Sequence, residues 1–233
     1  SSEFRGESAR SISWIHDGDA FVTIEQTEDG QDQLIKYESK SNAQEIFLSA
    51  EALTPSGEDQ ALQIADFSLS NDESKVLIFT NTSRVWRSNT KGDYWVYDLD
   101  TKSLKQLGAA LPSSSLMFAK FSDSNENVAY VSGFNLYEEN FKTGEVTQLT
   151  TDGTGDIING TFDWVYEEEF GARDGFRWNP DGKHIALVLS KITVNSKESG
   201  MYSQQHLYLA ELEKGQIKNL HRITELRYSQ THH

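Results

Sequence analysis

One pattern recurs four times along the chain and limits the available folds more than any other feature. Each copy opens with an aromatic residue, continues through a short polar turn and ends in an apolar strand. The four openings are Trp14, Phe67, Phe121 and Trp178. They are spaced by roughly 53 to 57 residues, which is close to the period of propeller blades. The repeat therefore predicts successive copies of one small β unit.

A second pair of strands follows each opening. Residues 94–107 show it most clearly, because two alternating strands flank the polar turn Thr101-Lys102-Ser103. The plan recurs at 135–149, in weaker form at 33–48, and finally with strands at 206–212 and 214–220. Two hairpins make a four-stranded antiparallel sheet, which is the unit of a β-propeller. A β-sandwich is the alternative all-β architecture, but it does not account for the repeat.

The predicted fold is all-β, a single β-propeller over residues 1–233 with about four blades of four antiparallel strands. The blades are expected at roughly 11–50, 62–108, 115–150 and 174–222, with insertions at 80–92 and 150–173. Insertions in repeat folds map to loops that often form the binding face. Trp14, Trp95 and Trp178 are expected in the core.

The second insertion has an unusual composition. Its stretch Asp163–Phe170 places three successive carboxylates among large apolar and aromatic residues, which favour burial. Read as a helical turn, it puts Phe162, Val165, Tyr166 and Glu169 on one face. Glu169 is then expected to project from the buried side and Glu167 to point away, with Glu168 about 100° round the helix.

Two interpretations of these carboxylates stand side by side. Acidic runs are commonly solvated helix faces, and composition alone does not distinguish such a face from a binding site. Two carboxylates held beside an apolar wall, however, repel each other and resist desolvation until a cation docks. The aromatic frame favours this second interpretation, a receptor for an amine.

Charge and composition exclude several other functions. The formal net charge of −15 argues against nucleic acid or an anionic membrane as the main partner. The chain has no cysteine, which excludes disulfides and thiolate metal sites. The histidines lack the spacing of metal ligands, so neither a metal nor a cofactor is predicted. No apolar run approaches the ~18 residues of a membrane span.

Several of these segments resemble one known family. Asp156–Gly160 followed by Asp163–Glu169 is similar to the double-glutamate region of the dipeptidyl peptidase IV family, serine exopeptidases of the prolyl oligopeptidase clan. Asp174–Lys183 resembles the next strand in bacterial members. Trp86–Ser88 together with Gly92–Leu99 resembles the arginine-bearing insertion of the family.

The resemblance implies a substrate site. In the family an N-terminal eight-bladed propeller covers a C-terminal α/β-hydrolase domain, and dipeptides with Pro or Ala second are removed from free N-termini. By position, Glu168 and Glu169 correspond to the pair that holds the α-ammonium group. Arg87 corresponds to the arginine that contacts the substrate carbonyl and orders the glutamates, with Arg84 and Arg173 as competitors for that role. Trp164 is expected to wall the amine pocket. Two carboxylates can accept the three N–H donors of a protonated amine.

The chain also departs from the family pattern. It has no Gly-x-Ser-x-Gly elbow and no hydrolase-type alternation of strands and helices, so no catalytic residue and no hydrolase domain are predicted. About half of the family's propeller is expected here. Because an open partial ring leaves blade flanks uncovered, a homodimer or dependence on the missing half is expected. The resemblance implies a periplasmic, secreted or membrane-anchored protein.

Three functions follow from these observations. The first is the substrate-gating propeller of a dipeptidyl-peptidase-like enzyme, which would bind peptides but not hydrolyse them alone. The second is a non-catalytic propeller that serves as a protein–protein scaffold and need not retain Arg87 with the glutamate pair. The third, a sugar-binding propeller, rests only on exposed aromatic residues.

Overall fold

The computed structural model describes residues 11–195, 200–213 and 216–229, and the chain forms two compact units. Unit 1 contains residues 11–82 and 92–107, and unit 2 contains residues 83–91 and those from 108 onward. Within the described ranges, antiparallel strands accompany one α-helix of seven residues and one 3-10 turn, His16–Gly18. The prediction of an all-β chain is confirmed.

Unit 1 holds two groups of four strands. The first forms an antiparallel sheet in chain order, and the second begins with the hairpin β5–β6 and ends with the hairpin β7–β8. The bounds are β1 (Ile12–Ile15), β2 (Ala20–Gln26), β3 (Asp32–Glu38), β4 (Gln44–Leu48), β5 (Asp66–Leu69), β6 (Lys75–Ser83), β7 (Lys91–Asp98) and β8 (Ser103–Gln106). Strand β2 shows why these segments form strands. Ala20, Val22 and Ile24 alternate with more exposed residues and pack into the core of this unit.

Unit 2 repeats the plan and adds a helix. The bounds are β9 (Leu116–Phe121), β10 (Asn127–Ser132), β11 (Asn135–Asn140), β12 (Val146–Gln148), β13 (Ile157–Asn159), α1 (Trp164–Phe170), β14 (Phe176–Trp178), β15 (His184–Asn195), β16 (Gly200–Glu213) and β17 (Gln216–Ser229). Strands β9 to β12 are antiparallel neighbours in chain order. The core of the unit includes Leu136, Phe176, Ile185 and Leu187.

The helix interrupts one strand of the last sheet. β13 pairs with β15 up to Asn159 opposite Leu189, and β14 resumes the pairing at Phe176 opposite Leu187. Since those partners on β15 are only two residues apart, β13 and β14 act as two halves of one strand. Residues 160–175 therefore loop out from the middle of that strand, and they carry α1.

Two expectations are corrected. The last hairpin, predicted at 206–212 and 214–220, is far longer: β16 and β17 pair from Glu213 and Gln216 back to Tyr202 and Ser229, with residues 214 and 215 outside the described ones. The polar side chains there gave no apolar alternation. Trp14, expected in the core, is 62% exposed, and its ring makes an edge contact with Phe21. Trp95 and Trp178 do pack against the two cores.

None of the helices in the described residues is long and apolar enough to cross a membrane.

Candidate functional site

The base of the inserted segment is drawn tightly together. Thr161 and Asp174 form an isolated antiparallel bridge, and the Phe162 amide donates to the Arg173 carbonyl at 3.0 Å. A Cβ on Gly175 would lie 3.0 Å from the Gly160 carbonyl carbon and the Thr161 nitrogen, a tight contact that would push the backbone apart. This glycine lets the two arms of the insertion meet, so that α1 projects from a closed base.

Asp163 starts the helix. Its Oδ1 accepts hydrogen bonds from the amides of Val165 at 3.0 Å and Tyr166 at 3.2 Å, as an N-cap residue does. The helix ends at Gly171, which takes the left-handed conformation (φ 64°) and donates to the Glu167 carbonyl. Both ends of this seven-residue helix are thus fixed by local sequence.

A buried polar network ties the helix start to the last sheet. Asp163 is only 1% exposed, and its Oδ2 accepts bonds from the Ser203 hydroxyl and, at 3.1 Å, from the Gln205 amide, both on β16. Gln205 in turn accepts a 2.6 Å bond from Ser190 on β15. Because a buried carboxylate needs such partners, the network sets the rotation of α1.

That rotation differs from the predicted one. Glu167, expected to point away, is buried at 7% exposure, whereas Glu169, expected on the buried side, is exposed. The reason is that Asp163 and Glu167 lie four residues apart on one helix face, and the Asp163 network turns that face inward. Glu167 Oε1 accepts a bond from Arg173 Nε at 3.1 Å.

The aromatic residues of the segment form a row beside the carboxylates. The rings of Phe162 and Tyr166 stack at a centroid distance of 5.5 Å, and Tyr166 lies 5.4 Å from Phe170. The shared face predicted for Phe162 and Tyr166 is therefore observed. Phe170 is largely exposed, so this row leaves an apolar surface open next to Glu169.

Arg87 reaches the helix from a loop far away in sequence. The loop between β6 and β7 brings its Nε to 2.8 Å from Glu168 Oε1, across 81 positions of sequence. The Arg87 side chain remains 69% exposed and that of Glu168 28% exposed. A guanidinium presents five N–H donors in a fork, so this geometry leaves most of them facing outward.

The other predicted residues lie near this pair. Glu169 follows Glu168 on α1 and makes no ion pair within the described part of the chain. Trp164 is the first residue of α1 and is half-buried. Arg84, a competitor for the arginine role, instead donates to the Trp86 carbonyl at 2.9 Å within its own loop. The structure therefore brings together Arg87 and Glu168, with Glu169 adjacent.

A second charged cluster supports the far arm of the insertion. Lys120 on β9 bonds to Asp174 at 2.6 Å and to the Phe176 carbonyl at 3.0 Å, and it lies 3.6 Å over the Phe176 ring. Arg177 also pairs with Asp174 at 2.6 Å. Burial lowers the pKa of the Lys120 ammonium to about 8, although Asp174 opposes the shift.

The sequence did not reveal two residues that hold the site in place. Ser203 and Gln205 contact α1 through Asp163, and neither stands out in the sequence. Arg173, a competitor for the role of Arg87, instead bonds to Glu167. Only Asp163 left a signal, since an aspartate directly before an apolar helical pattern is a typical N-cap.

The arrangement is suited to a cation. Across the described residues no group of three or more His, Asp or Glu side chains is placed to hold a metal ion. Two adjacent carboxylates, one paired with an arginine and one unpaired, instead offer acceptors for an organic ammonium group.

Comparison with known proteins agrees with the architecture. The family model described as dipeptidyl peptidase IV (DPP IV) N-terminal region matches residues 70–191. A probable dipeptidyl-aminopeptidase B from Talaromyces marneffei is 31% identical over 192 residues, covering 78% of this chain and 21% of that protein. One from Podospora anserina is 37% identical over 125 residues, covering 53% of this chain and 14% of that protein.

A solved structure shows the same fold. The crystal structure of Porphyromonas gingivalis dipeptidyl peptidase 4 superposes with a TM-score of 0.75 at 23% identity, covering 92% of this chain and 32% of that one. The predicted partial propeller of antiparallel blades is confirmed. The chain spans about a fifth of the length of the curated relatives that it matches. It belongs to the dipeptidyl peptidase IV N-terminal region family.

Proposed function

We propose that this chain is the N-terminal propeller segment of a dipeptidyl-peptidase-IV-like serine exopeptidase. Its role is to bind the free N-terminus of a peptide at Glu168 and Glu169 and to gate access to a hydrolase domain outside this chain. The relatives named dipeptidyl-aminopeptidase B support the enzyme class. The residues of α1 and the β6–β7 loop support the binding role.

The observation that carries the proposal is the 2.8 Å ion pair between Arg87 Nε and Glu168 Oε1. It joins the two insertions that sequence reasoning singled out, although they lie far apart in the chain. A solvated acidic helix face has no need of such a long-range partner. The pair leaves the Glu169 carboxylate without a cation in the described residues, beside the aromatic row of Phe162, Tyr166 and Phe170.

The roles follow from charge and geometry. A protonated N-terminus supplies three N–H donors, which the Glu168 and Glu169 carboxylates accept in charge-assisted bonds. Arg87 keeps Glu168 in place and directs its remaining donors toward a peptide carbonyl oxygen. Trp164, half-buried at the helix start, walls the pocket. An acylated N-terminus has no positive charge and is rejected, which would make the enzyme an exopeptidase.

Calorimetric titration tests this function directly. The dipeptide Ile-Pro with a free amine is expected to bind weakly, and its N-acetylated form is expected not to bind. Glu168→Gln or Glu169→Gln should lower the affinity for Ile-Pro by about tenfold or more, as loss of a charged hydrogen-bond partner does. Glu28→Gln, at an exposed turn in unit 1, is the matched control and should bind like the unchanged chain.

Two results would contradict the proposal. Equal binding of the free and acetylated dipeptides would remove the role of the ammonium group. Binding of neither would favour the alternative function, a non-catalytic scaffold for protein–protein interactions.

The proposed partners of the whole protein are peptides with Pro or Ala second, the hydrolase domain and a second copy of the chain. The proposed location is periplasmic, secreted or membrane-anchored. Sedimentation tests the homodimer: a monomer at low micromolar concentration that melts cooperatively would contradict it.

A further inference from the structure

A second polar cavity lies in unit 2, outside the α1 site. It has a volume of about 660 Å³, within the range of small-ligand sites. Part of its lining comes from β10, β11, β12 and the turn before β12, including Asn127, Glu138 and Glu145. The rest comes from β16, β17 and the turn at Gly182 and Lys183.

Glu138 is the unusual group in this cavity. It is only 5% exposed, and its Oε1 accepts a 2.7 Å bond from the Asn127 amide. Its Oε2 is buried and has no hydrogen-bond partner among the described residues. Asn127 and Asn140 already bond to each other at 2.8 Å. Leaving a carboxylate oxygen buried without a donor is unfavourable, so this cavity wall lacks a donor that a ligand can supply.

The charges near Glu138 also leave its carboxylate without a compensating cation. Burial, and secondarily the Glu145 carboxylate, raise the pKa of Glu138, whereas the Asn127 bond lowers it. Glu145 makes no ion pair in the described part of the chain. Two carboxylates thus line one cavity, the charge of Glu145 disfavours that of Glu138, and no cation of the described chain joins them.

The remaining charged groups of the cavity are accounted for. Glu213 pairs with Lys218 at 3.3 Å, and Glu211 accepts a 2.6 Å bond from Asn219. Lys183 lines the cavity without an ion pair to any described residue, and it is the positive charge that would compete with a bound cation.

We propose that this cavity binds an organic cation that carries a guanidinium or primary ammonium group, held by Glu138 and Glu145. The terminal torsion of a glutamate is soft, so Oε2 can turn toward a donor in the cavity. A guanidinium suits the pair best, because its planar fork of donors matches carboxylate oxygens. A metal ion is disfavoured, since no three carboxylate or histidine groups of the described residues converge here.

The experiment uses amide NMR of the full chain, read at the side-chain amides of the cavity itself. N-acetyl-arginine amide has no free N-terminus and represents a basic side chain of a peptide. Methylguanidinium represents a free small cation, and N-acetyl-citrulline amide is the neutral match. The expected result is a saturable shift of the Asn127 and Asn140 side-chain amide signals with a guanidinium probe but not with citrulline. Which of the two guanidinium probes binds more tightly distinguishes a peptide source from a free cation.

Two variants with opposite expected effects make the test specific. Glu138→Gln preserves the size of the side chain and an oxygen for Asn127, and it should weaken guanidinium binding by about tenfold. Lys183→Gln removes the competing positive charge and should raise the affinity for guanidinium by about two- to threefold. If Glu138→Gln fails to fold, judged from its amide spectrum, Glu145→Gln and Lys183→Gln carry the test.

Three outcomes would overturn the proposal. The first is that the side-chain amide signals of Asn127 and Asn140 do not shift at tens of millimolar probe. The second is that the citrulline probe shifts them as much as the guanidinium probes do. The third is that Glu138→Gln binds guanidinium with unchanged affinity. Because the shifts are read at Asn127 and Asn140, which line this cavity or bond within it, these outcomes are independent of the peptide titration at Glu168 and Glu169.

Discussion

Two runs of neighbouring glutamates in unit 2 differ in how their charges are satisfied. On α1, Glu167 is buried against Arg173 and Glu168 is paired with Arg87, while Glu169 is open. On β11, both Glu138 and Glu139 are buried. Arginine side chains bond to two of the three helical glutamates, whereas neutral donors contact both glutamates of the strand.

The backbone explains the difference. Helical neighbours are turned by about 100° from one another, so three glutamates meet three environments, and the two arginines can approach from different sides. Strand neighbours point to opposite faces, which sends Glu139 to the Gly108 amide at 2.8 Å and the Tyr130 hydroxyl at 3.1 Å. Glu138 goes to the opposite face, where Asn127 is its hydrogen-bond donor among the described residues. An acidic run is therefore not one chemical feature but a set of separate sites.

The largest expected effect comes from Asp163, which holds the helical run in its orientation. Asp163→Ala removes the N-cap and leaves Ser203 and Gln205 without their acceptor, so the free energy of unfolding should fall by about 2–4 kcal/mol. Urea unfolding measures it. Asp156→Ala, an exposed aspartate close by in the chain, is the control and should change little. A loss no larger than that of the control would mean that the network does not anchor α1.

Arg173 should matter next. Arg173→Ala leaves Glu167 buried without its cation, and we expect a loss of about 1–3 kcal/mol in the free energy of unfolding. Replacing Glu167 as well, in the double variant Glu167→Gln/Arg173→Ala, should restore part of the loss, because the uncompensated charge is then gone. Additive losses in a double-mutant cycle would argue against the pairing.

For the two glutamates of β11, substitution is expected to change the free energy of unfolding in opposite directions. Glu139→Gln disturbs bonds from Gly108 and Tyr130 and should cost about 1 kcal/mol at neutral pH. Glu138→Gln should instead raise stability there. The pKa of Glu138 is raised in the folded chain, so the folded state binds the proton more tightly than the unfolded state, and stability falls as pH rises from the unfolded pKa of about 4.3 toward the higher folded pKa.

The pH profile separates these two residues. The advantage of Glu138→Gln should be full above the folded pKa and disappear as pH falls toward about 4. Urea midpoints measured across that range provide the measurement. A Glu138→Gln variant that is less stable than the unchanged chain at pH 8 would show that the buried carboxylate is better satisfied than the contacts of Glu138 indicate.

The sequence predicted the fold better than the orientation of its side chains. The spaced aromatic openings and polar turns were sufficient for antiparallel sheets in chain order, since that periodicity is local. The length of the hairpin β16–β17 was underestimated because its outer half carries mostly polar residues. Trp14 was placed in the core by residue type alone, which ignores the face of β1 on which it stands.

The site was predicted only in part for a similar reason. Helical spacing of the apolar residues predicted that Phe162 and Tyr166 share a face, but it placed Glu167 outside. The rotation of α1 depends on Ser203 and Gln205, about 40 residues further along the chain, and no local pattern encodes such a contact. Burial of Glu138 depends likewise on packing of strands around β11, so its sequence neighbourhood resembles any polar strand end.

The smallest expected effect on stability belongs to Arg87, and it distinguishes the two arginines of the helical run most sharply. The Arg87–Glu168 pair is largely exposed, and exposed pairs contribute under about 1 kcal/mol, so Arg87→Ala should leave the free energy of unfolding almost unchanged. Its affinity for Ile-Pro should nevertheless fall, because Glu168 loses the group that positions it. Arg84→Ala in the same loop, where Arg84 donates to the Trp86 carbonyl, is the matched control. The contradicting result is an Arg87→Ala variant that is destabilised as much as Arg173→Ala and still binds Ile-Pro normally. Arg87 would then be a structural residue. The two arginines would no longer differ as a buried pair that holds the helix and an exposed pair that receives a ligand.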